Sequence, residues 1–324
     1  MPISRISKPR ILVTMGDPSG VGPEVTLKAM ASLEHSKLAD FFIIGDRSVL
    51  DRVNKRLNKK IRVPVIDLAN VRPVDFSYGA SKPAFGAASM AYIDKALEML
   101  ASGEADALVT GPINKGSISS AGFPGFQGHT EYLAAKTSTK DFAMMFVGDR
   151  LKITLVTRHI ALKDVPSSLT PEAIYRTIIL THQALVNKFG IKHPKIAVAG
   201  LNPHAGEGGM FGDEEKRIIS PAIKKAAKKI KGVSGPFPPD AVFHSVFNRR
   251  YDAVVSLYHD QALIPFKMLY FSTGVNMTLG LPFVRTSPDH GTAFDIAGKM
   301  IADPSSMKEA CLLAARLASK KKSS

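Results

Sequence analysis

Short apolar, β-branched runs alternate along the chain with longer segments of helical period. ILVTM (11–15), FFIIG (41–45), ALVTG (107–111), KITLVT (152–157), KIAVAG (195–200) and DAVVSLY (252–258) read as strands. Between them, segments near 22–33, 86–101, 171–189, 213–230 and 306–319 read as helices. Thr170-Pro171-Glu172 and Ser305-Ser306-Met307 look like helix starts, with hydroxyls ahead of apolar periodicity. Such alternation predicts βα units and an α/β fold with a mainly parallel sheet. Pro/Gly-rich passages at 122–128, 203–212 and 232–239 interrupt it; the first two carry polar groups and read as functional loops.

Composition narrows the class. At 324 residues the chain exceeds the usual size of one core, so two domains or one large α/β unit is expected. Hydrophobic residues at 45% and charged residues at 22% are those of an ordinary soluble globular protein. The start, MPISRISKPRILVTMGDPSG, has only a short apolar run, and no run approaches a membrane span, so neither a signal peptide nor a membrane partner is expected. One cysteine, Cys311, excludes an intrachain disulfide and a cysteine zinc cluster, and fits the cytoplasm.

A net charge of +15 raises the question of nucleic acid. Lys224, Lys225, Lys228, Lys229 and Lys231 lie on one predicted helix, and Lys320, Lys321 and Lys322 form a tail, without interleaved aromatics. A solvated helix face and a frayed tail account for them, and no nucleic-acid partner is expected.

Chemistry concentrates at strand ends. KITLVTRH ends on His159, KIAVAGLNPH on His204 and DAVVSLYHD on His259. In an open parallel sheet ligands gather at the carboxyl ends of strands, so these histidines can converge. Three neutral imidazoles suit Zn²⁺ or another divalent metal with positions left open for substrate. Any one alone is more simply a hydrogen-bonded histidine; the shared placement is the signal. Asp260 beside His259 and Glu207 after His204 could orient an imidazole, bind metal or move a proton, or simply cap nearby backbone. His129 and Thr130 stand before a predicted helix, where phosphate or carboxylate binds, although Thr130 alone suits an N-cap. Lys267, Asn276 and Arg285 add two cations and an amide, which fit a phosphate ester or scattered surface positions alike. No G-x-G-x-x-G in register, P-loop, H-E-x-x-H or G-x-S-x-G is present.

With these residues in view, the chain resembles the 4-hydroxythreonine-4-phosphate dehydrogenase family of vitamin B6 biosynthesis. The motifs are MGDPSGVGPE (15–24), TGPINKG (110–116), GHTEYL (128–133), TRHIALKDV (157–165), GLNPHAGEGG (200–209), YHDQALIPFK (258–267) and GVNMTLGLPFVRTSPDHGTAFDIAG (274–298). Ser19 departs from the family's more frequent alanine. The resemblance implies metal ligation by His159, His204 and His259, with Zn, Mg or Co as the ion, and substrate contacts from His129, Thr130, Lys267, Asn276 and Arg285. HGTAFDIAGKMIADP (290–304) is also similar to the nicotinamide loop of isocitrate and isopropylmalate dehydrogenases, whose two-domain α/β fold the family shares. By that resemblance His290, Gly291, Thr292 and Ala293 cradle NAD or NADP, and Asp295 accepts from a ribose hydroxyl, favouring NAD. A plain glycine turn followed by a packed helix, with Asp295 as its cap, is the alternative.

The related fold implies a discontinuous domain, 1–125 with 265–324, carrying the cofactor loop. Residues 126–264 would form the second domain, with the metal histidines and the contacts of a homodimer whose active site lies at the interface. The implied reaction oxidises 4-phosphooxy-L-threonine and then decarboxylates the product. Asp260 is the candidate for assisting proton transfer, with Asp240 in the PFPPDAVF loop as a second. Sister enzymes acting on phosphorylated threonate or erythronate, or on aromatic-acid diols, are the nearest alternative; a phosphate- or nucleic-acid-binding module without redox chemistry is a more distant one.

Overall fold

The computed structural model describes residues 8–58 and 61–321, with the side chains of 320 and 321 excepted. Residues 1–7, which begin the stretch read as carrying no signal peptide, and the tail side chains of Lys320, Lys321 and Lys322 lie outside that range. In chain order the elements are β1 (Arg10–Thr14), α1 (Gly22–Leu33), β2 (Asp40–Gly45), α2 (Arg47–Leu57), β3 (Val65–Asp67), α3 (Pro83–Ala101), β4 (Ala107–Thr110), α4 (Lys115–Ser120) and α5 (His129–Lys136). There follow β5 (Ala143–Val147), β6 (Lys152–Leu155), α6 (Val165–Ser168), α7 (Pro171–Asn187), β7 (Ile196–Ala199), α8 (Ser220–Ala227), β8 (Val233–Phe237), α9 (Pro239–Phe247), β9 (Ala253–Ser256), α10 (His259–Tyr270) and β10 (Val275–Leu279). β11 (Val284–Pro288) and α11 (Ser305–Lys321) complete the chain.

Two compact units result: Met1–Lys136 with Pro282–Ser324, and Thr137–Leu281. The first is discontinuous, but its junctions fall after 136 and before 282 rather than after 125 and before 265. The physical reasons are local. α5 is tied to α3 by Tyr132 Oη donating to Asp94 Oδ1 at 2.6 Å, and β10 pairs antiparallel with β5, which holds residues 275–279 in the second unit.

In the first unit β3, β2, β1, β4 and β11 lie side by side, and every pairing is parallel. α3 packs on β1, β2 and β4, while α11 packs on β1, β4, β11 and α1. In the second unit the order is β10, β5, β6, β9, β7, β8. β6, β9, β7 and β8 run parallel, and β10, β5 and β6 are joined antiparallel. Side-chain alternation divides its core into two clusters. Ile196, Val198, Ala253 and Val255 face α7 and α8, whereas Ala197, Ala199 and Val254 face α9 and α10, as a period of two requires.

All six expected strands and all five expected helices form, the bounds shifting by a few residues. The segment at 213–230 opens with a π-helical turn at Glu215–Ile219 before α8, so Lys228, Lys229 and Lys231 lie beyond the helix. Those lysines are exposed, as a solvated face requires. Thr170 caps α7 as expected, its Oγ1 accepting from Ala173 N at 3.1 Å. At α11 the cap differs: Asp303 Oδ1 accepts from Ser305 N at 2.9 Å, while Ser306 Oγ accepts instead from Asp289 N at 2.9 Å. Among the described residues no helix is long and apolar enough to cross a membrane.

One buried polar pair braces the first unit. Asp46, fully buried after β2, accepts hydrogen bonds from Tyr92 Oη on α3 and from Asn70 N at 2.5 Å. Burial raises the carboxyl above its ordinary range, with the Tyr92 hydrogen bond opposing it. Tyr92→Phe leaves the carboxylate short of a donor in a dry site. We expect it to cost about 1–3 kcal/mol, read as a lower urea midpoint at unchanged slope.

Candidate active site

Parallel pairing sends three loops of the first unit out at one edge. They follow β1, β4 and β11, which are neighbours in the sheet, and they hold the MGDPSGVGPE, TGPINKG and HGTA motifs. The first is stitched to the other two. Asp17 N donates to Pro112 O at 2.8 Å and Val21 N to Thr292 O at 2.9 Å. Gly20 lies so close that a Cβ there would stand 2.9 Å from Thr292 O. Further along, Glu24 on α1, 2% exposed, accepts from Ala302 N at 2.8 Å and from Lys28 Nζ at 2.7 Å. Lys28 Nζ also donates to Met300 O at 3.0 Å and Ala302 O at 2.9 Å. The 290–302 loop is therefore clasped along its length.

Within that loop Ala293 adopts a left-handed φ of 42°. His290 turns Nδ1 toward Gly291 O at 3.0 Å, and its buried Nε2 has no hydrogen-bond partner. Asp295 is exposed in a run of turns over 294–298, and the next helix begins at Ser305. No helix therefore starts at Asp295 for it to cap, and the alternative of a packed helix over FDIAGKM does not hold.

A second cluster in this unit gathers around Arg285, which points from β11 into the interior and is 3% exposed. Its Nε and Nη2 donate to Thr110 Oγ1, at the end of β4, at 3.2 and 2.6 Å. Burial lowers the guanidinium to about 10, with the Glu131 charge opposing, so it stays positive at neutral pH. His129 opens α5, beside the buried Thr130. Its Nε2 is buried without a hydrogen-bond partner. Burial first, then the charges of Arg285 and Lys115, hold the ring well below its ordinary value. A neutral imidazole with one ring nitrogen unsatisfied and a desolvated cation thus gather near the end of β4, groups whose chemistry suits an anion.

In the second unit the histidines follow β6, β9 and β7, three consecutive parallel strands. His159 and His259 come together, their ring centroids 5.7 Å apart at 46°. His259 is the first residue of α10, and its Nδ1 lies 2.6 Å from Asp260 Oδ1. That contact orients the ring and leaves Nε2 free of Asp260. His204 stands on the neighbouring loop, exposed, with Nδ1 3.9 Å from Glu207 Oε2. Among the described residues no three His, Cys, Asp or Glu side chains are close enough together to hold a metal ion. The expected triad is thus a pair plus a third imidazole one loop away. The donor set fits a divalent ion: two imidazoles face each other, one backed by a carboxylate.

The shape of the His204 loop depends on Glu215, a residue the sequence did not single out. Buried, it accepts at Oε1 from Leu201 N and Asn202 N, both at 2.8 Å, and at Oε2 from Asn202 Nδ2 at 2.9 Å. Around it residues 204–208 take positive φ throughout, and a Cβ at Gly206 would lie 2.7 Å from Glu215 Oε2. Asp240 is not in a loop but exposed in the first turn of α9, where a negative charge suits the helix N-terminus. α9 packs beside the 203–209 loop. Lys267 lies on α10, its Nζ 5.6 Å from the Phe271 ring centre. Asn276 lies on β10 with a buried Oδ1 that lacks a hydrogen-bond partner.

A family model described as pyridoxal phosphate biosynthetic protein PdxA matches residues 27–314. The chain belongs to that family. It is 46% identical over 322 residues to a 4-hydroxythreonine-4-phosphate dehydrogenase of Desulfosudis oleivorans, covering 94% of each protein. It is also 42% identical to a putative D-threonate 4-phosphate dehydrogenase of Oceanobacillus iheyensis, covering 96% of this chain and 98% of that one. Among solved structures, the 4-hydroxythreonine-4-phosphate dehydrogenase of Klebsiella pneumoniae superposes with a TM-score of 0.87 at 38% identity, covering 96% of this chain and 99% of the other. These relatives share the isocitrate/isopropylmalate dehydrogenase-like α/β fold expected from the motifs.

The family motif at 15–24 holds one more buried acid. Asp17 is fully buried, its Oδ1 accepting from Ser19 N at 2.9 Å and its Oδ2 lacking a partner. Burial raises its carboxyl from 3.8 to about 6, against the hydrogen bond from Ser19 N. Between pH 4 and 6 the folded chain therefore holds a proton that the unfolded chain has released. Stability from this group is greatest below about pH 4, falls as pH rises to 6, and is flat above. Asp17→Asn keeps an acceptor for Ser19 N and removes the ionisation. It should raise stability at pH 7 by about 2–3 kcal/mol and flatten the pH 4–6 slope of the denaturation midpoint. An unchanged slope would place that dependence on other groups.

Proposed function

We propose that this chain is an NAD(P)-dependent, metal-requiring dehydrogenase that oxidises 4-phosphooxy-L-threonine at C3 to 2-amino-3-oxo-4-phosphooxybutanoate. The latter then loses CO₂ to give 3-amino-2-oxopropyl phosphate, on the way to pyridoxal phosphate. The observation that carries the reading is the buried cluster of Arg285, Thr110 and His129, whose Nε2 has no hydrogen-bond partner. In a family of this name, a phosphate ester is the anion it fits. Arg285 and His129 donate to phosphate oxygens, and Thr130 adds a hydroxyl from the first turn of α5. Lys267 and Asn276 are further substrate contacts on the same reading. Binding energy from the phosphate orients C3 for reaction.

His159, His204 and His259 would hold one divalent ion per subunit, Zn, Mg or Co. When bound, such an ion would supply Lewis acidity and a nicotinamide the hydride acceptor. Asp260 fixes the His259 ring and stands ready to take the hydroxyl proton, with Asp240 as a second candidate. The 290–298 loop would hold the dinucleotide, with His290, whose buried Nε2 has no hydrogen-bond partner, and Gly291, Thr292 and Ala293 lining it and Asp295 placed to accept from ribose hydroxyls. A carboxylate there repels a 2′-phosphate, which favours NAD over NADP.

The enzyme would work as a homodimer in the cytoplasm, with the active site at the interface. The exposed apolar side chains Ile264, Met268 and Phe271 on and just after α10 support a second copy as partner. A second substrate reading, phosphorylated threonate, is favoured by the 42% identity to the Oceanobacillus iheyensis protein.

The test is a panel of phosphorylated hydroxy acids followed by NADH absorbance, with and without chelator. Turnover of 4-phosphooxy-threonine above the threonate and erythronate phosphates, abolished by chelator and restored by metal, is the expected result. His159→Ala and His259→Ala should each lower metal content per chain and turnover together, with the fold intact by circular dichroism. Full metal content in both variants would remove the histidines from the site. Asp295→Ser should raise the KM for NAD and narrow the NAD:NADP ratio about five- to a hundredfold, the scale of charged hydrogen bonds. An unchanged ratio would remove the ribose contact.

A further inference from the structure

Lys115 is the first residue of α4, and the helix does not need its side chain. Asn114 caps that end, its Oδ1 accepting from Ser117 N at 2.7 Å and Ser117 Oγ at 3.1 Å. Backbone packing holds α4 against α3: a Cβ at Gly86 would lie 2.1 Å from Ser117 O. The Lys115 stem runs over Gly128, the residue before His129; a Cβ there would stand 3.9 Å from Lys115 Cε and 3.3 Å from Glu131 Oε2. Lys115 is exposed, and its ammonium makes no hydrogen bond or ion pair among the described residues.

Charge balance gives this lysine a task. Arg285 feels the opposing charge of Glu131, and His129 is neutral, so these groups together carry little net positive charge. A phosphate monoester at neutral pH carries about −1.5 to −2. Lys115 lies close enough to act electrostatically on His129, and it adds a positive charge beside that ring. We propose that Lys115 is a phosphate-binding residue that supplies the positive charge Arg285 and His129 lack, and so makes the site prefer phosphorylated substrates over their free alcohols. An exposed ammonium whose stem runs over a glycine suits a ligand that must enter and leave, whereas the buried guanidinium suits fixing its orientation.

The inference rests on the proposed phosphorylated substrate, and the experiment separates the two. Lys115→Met and Lys115→Arg are assayed on 4-phosphooxy-threonine and on its unphosphorylated alcohol. Lys115→Met should raise the KM for the phosphorylated compound about 10- to 100-fold, the scale of a lost charge-assisted contact, with kcat within a few-fold. KM for the alcohol should not move, and Lys115→Arg should recover most of the loss. Equal effects on both substrates, or none, would overturn the proposal. In parallel, inorganic phosphate is titrated into the protein while the His129 ring signals are followed by NMR. The wild type should shift saturably and Lys115→Met at least about tenfold more weakly. If the wild type binds phosphate in this way but does not turn over the substrate, the dehydrogenase reading fails and the Lys115 assignment stands. A Lys115→Met titration matching wild type, or no wild-type shift, sinks the assignment itself.

Discussion

Parallel strand pairing is the constraint on which the rest of this protein depends. A strand paired in parallel with its neighbour must be joined to it by a crossover, so the loops that follow neighbouring strands leave at one edge. In the first unit β1, β4 and β11 are consecutive, and their loops carry the 15–24, 110–116 and 290–298 motifs. In the second, β6, β9 and β7 are consecutive, and their loops carry His159, His259 and His204. Each unit thus brings together three segments that are far apart in the chain.

Buried polar groups then give those loops one shape. Glu24 and Lys28 clasp the 300–302 backbone, Glu215 gathers the amides of 201–202, and Asp46 ties the end of β2 to α3. Each carboxylate is costly to bury and is offset by charge-assisted hydrogen bonds. Because the donors are mostly backbone amides, the loop conformation and the carboxylate stabilise each other. Asp17 Oδ2, Glu24 Oε2 and His129 Nε2 are buried without a hydrogen-bond partner, and Arg285 is strongly desolvated, a pattern that recurs at functional sites.

The division between second-unit core and site follows the same logic. Apolar side chains of β7 and β9 alternate between two helix layers, and the candidate polar groups follow within a few residues of the strand ends. His259 shows the transition: β9 ends at Ser256, and three residues later the imidazole opens α10 with its neighbour Asp260 bound to its ring.

Much of this was legible in the sequence. The apolar runs marked the six strands buried on both faces, the helical periods marked the long helices, and the motif loops announced the family. β10 and β11 escaped because polar residues, among them Asn276 and Arg285, interrupt their apolar runs. Asp17, Glu24, Asp46 and Glu215 read as ordinary acids because burial is a property of long-range contacts and leaves no local period. The three histidines could be assigned to strand ends from the sequence. That His159 and His259 face each other while His204 stands one loop away was decided by strand order and by the left-handed backbone around Glu215. Residue chemistry and periodicity are local and are written in the chain; adjacency, desolvation and charge balance exist only once distant segments have been packed together.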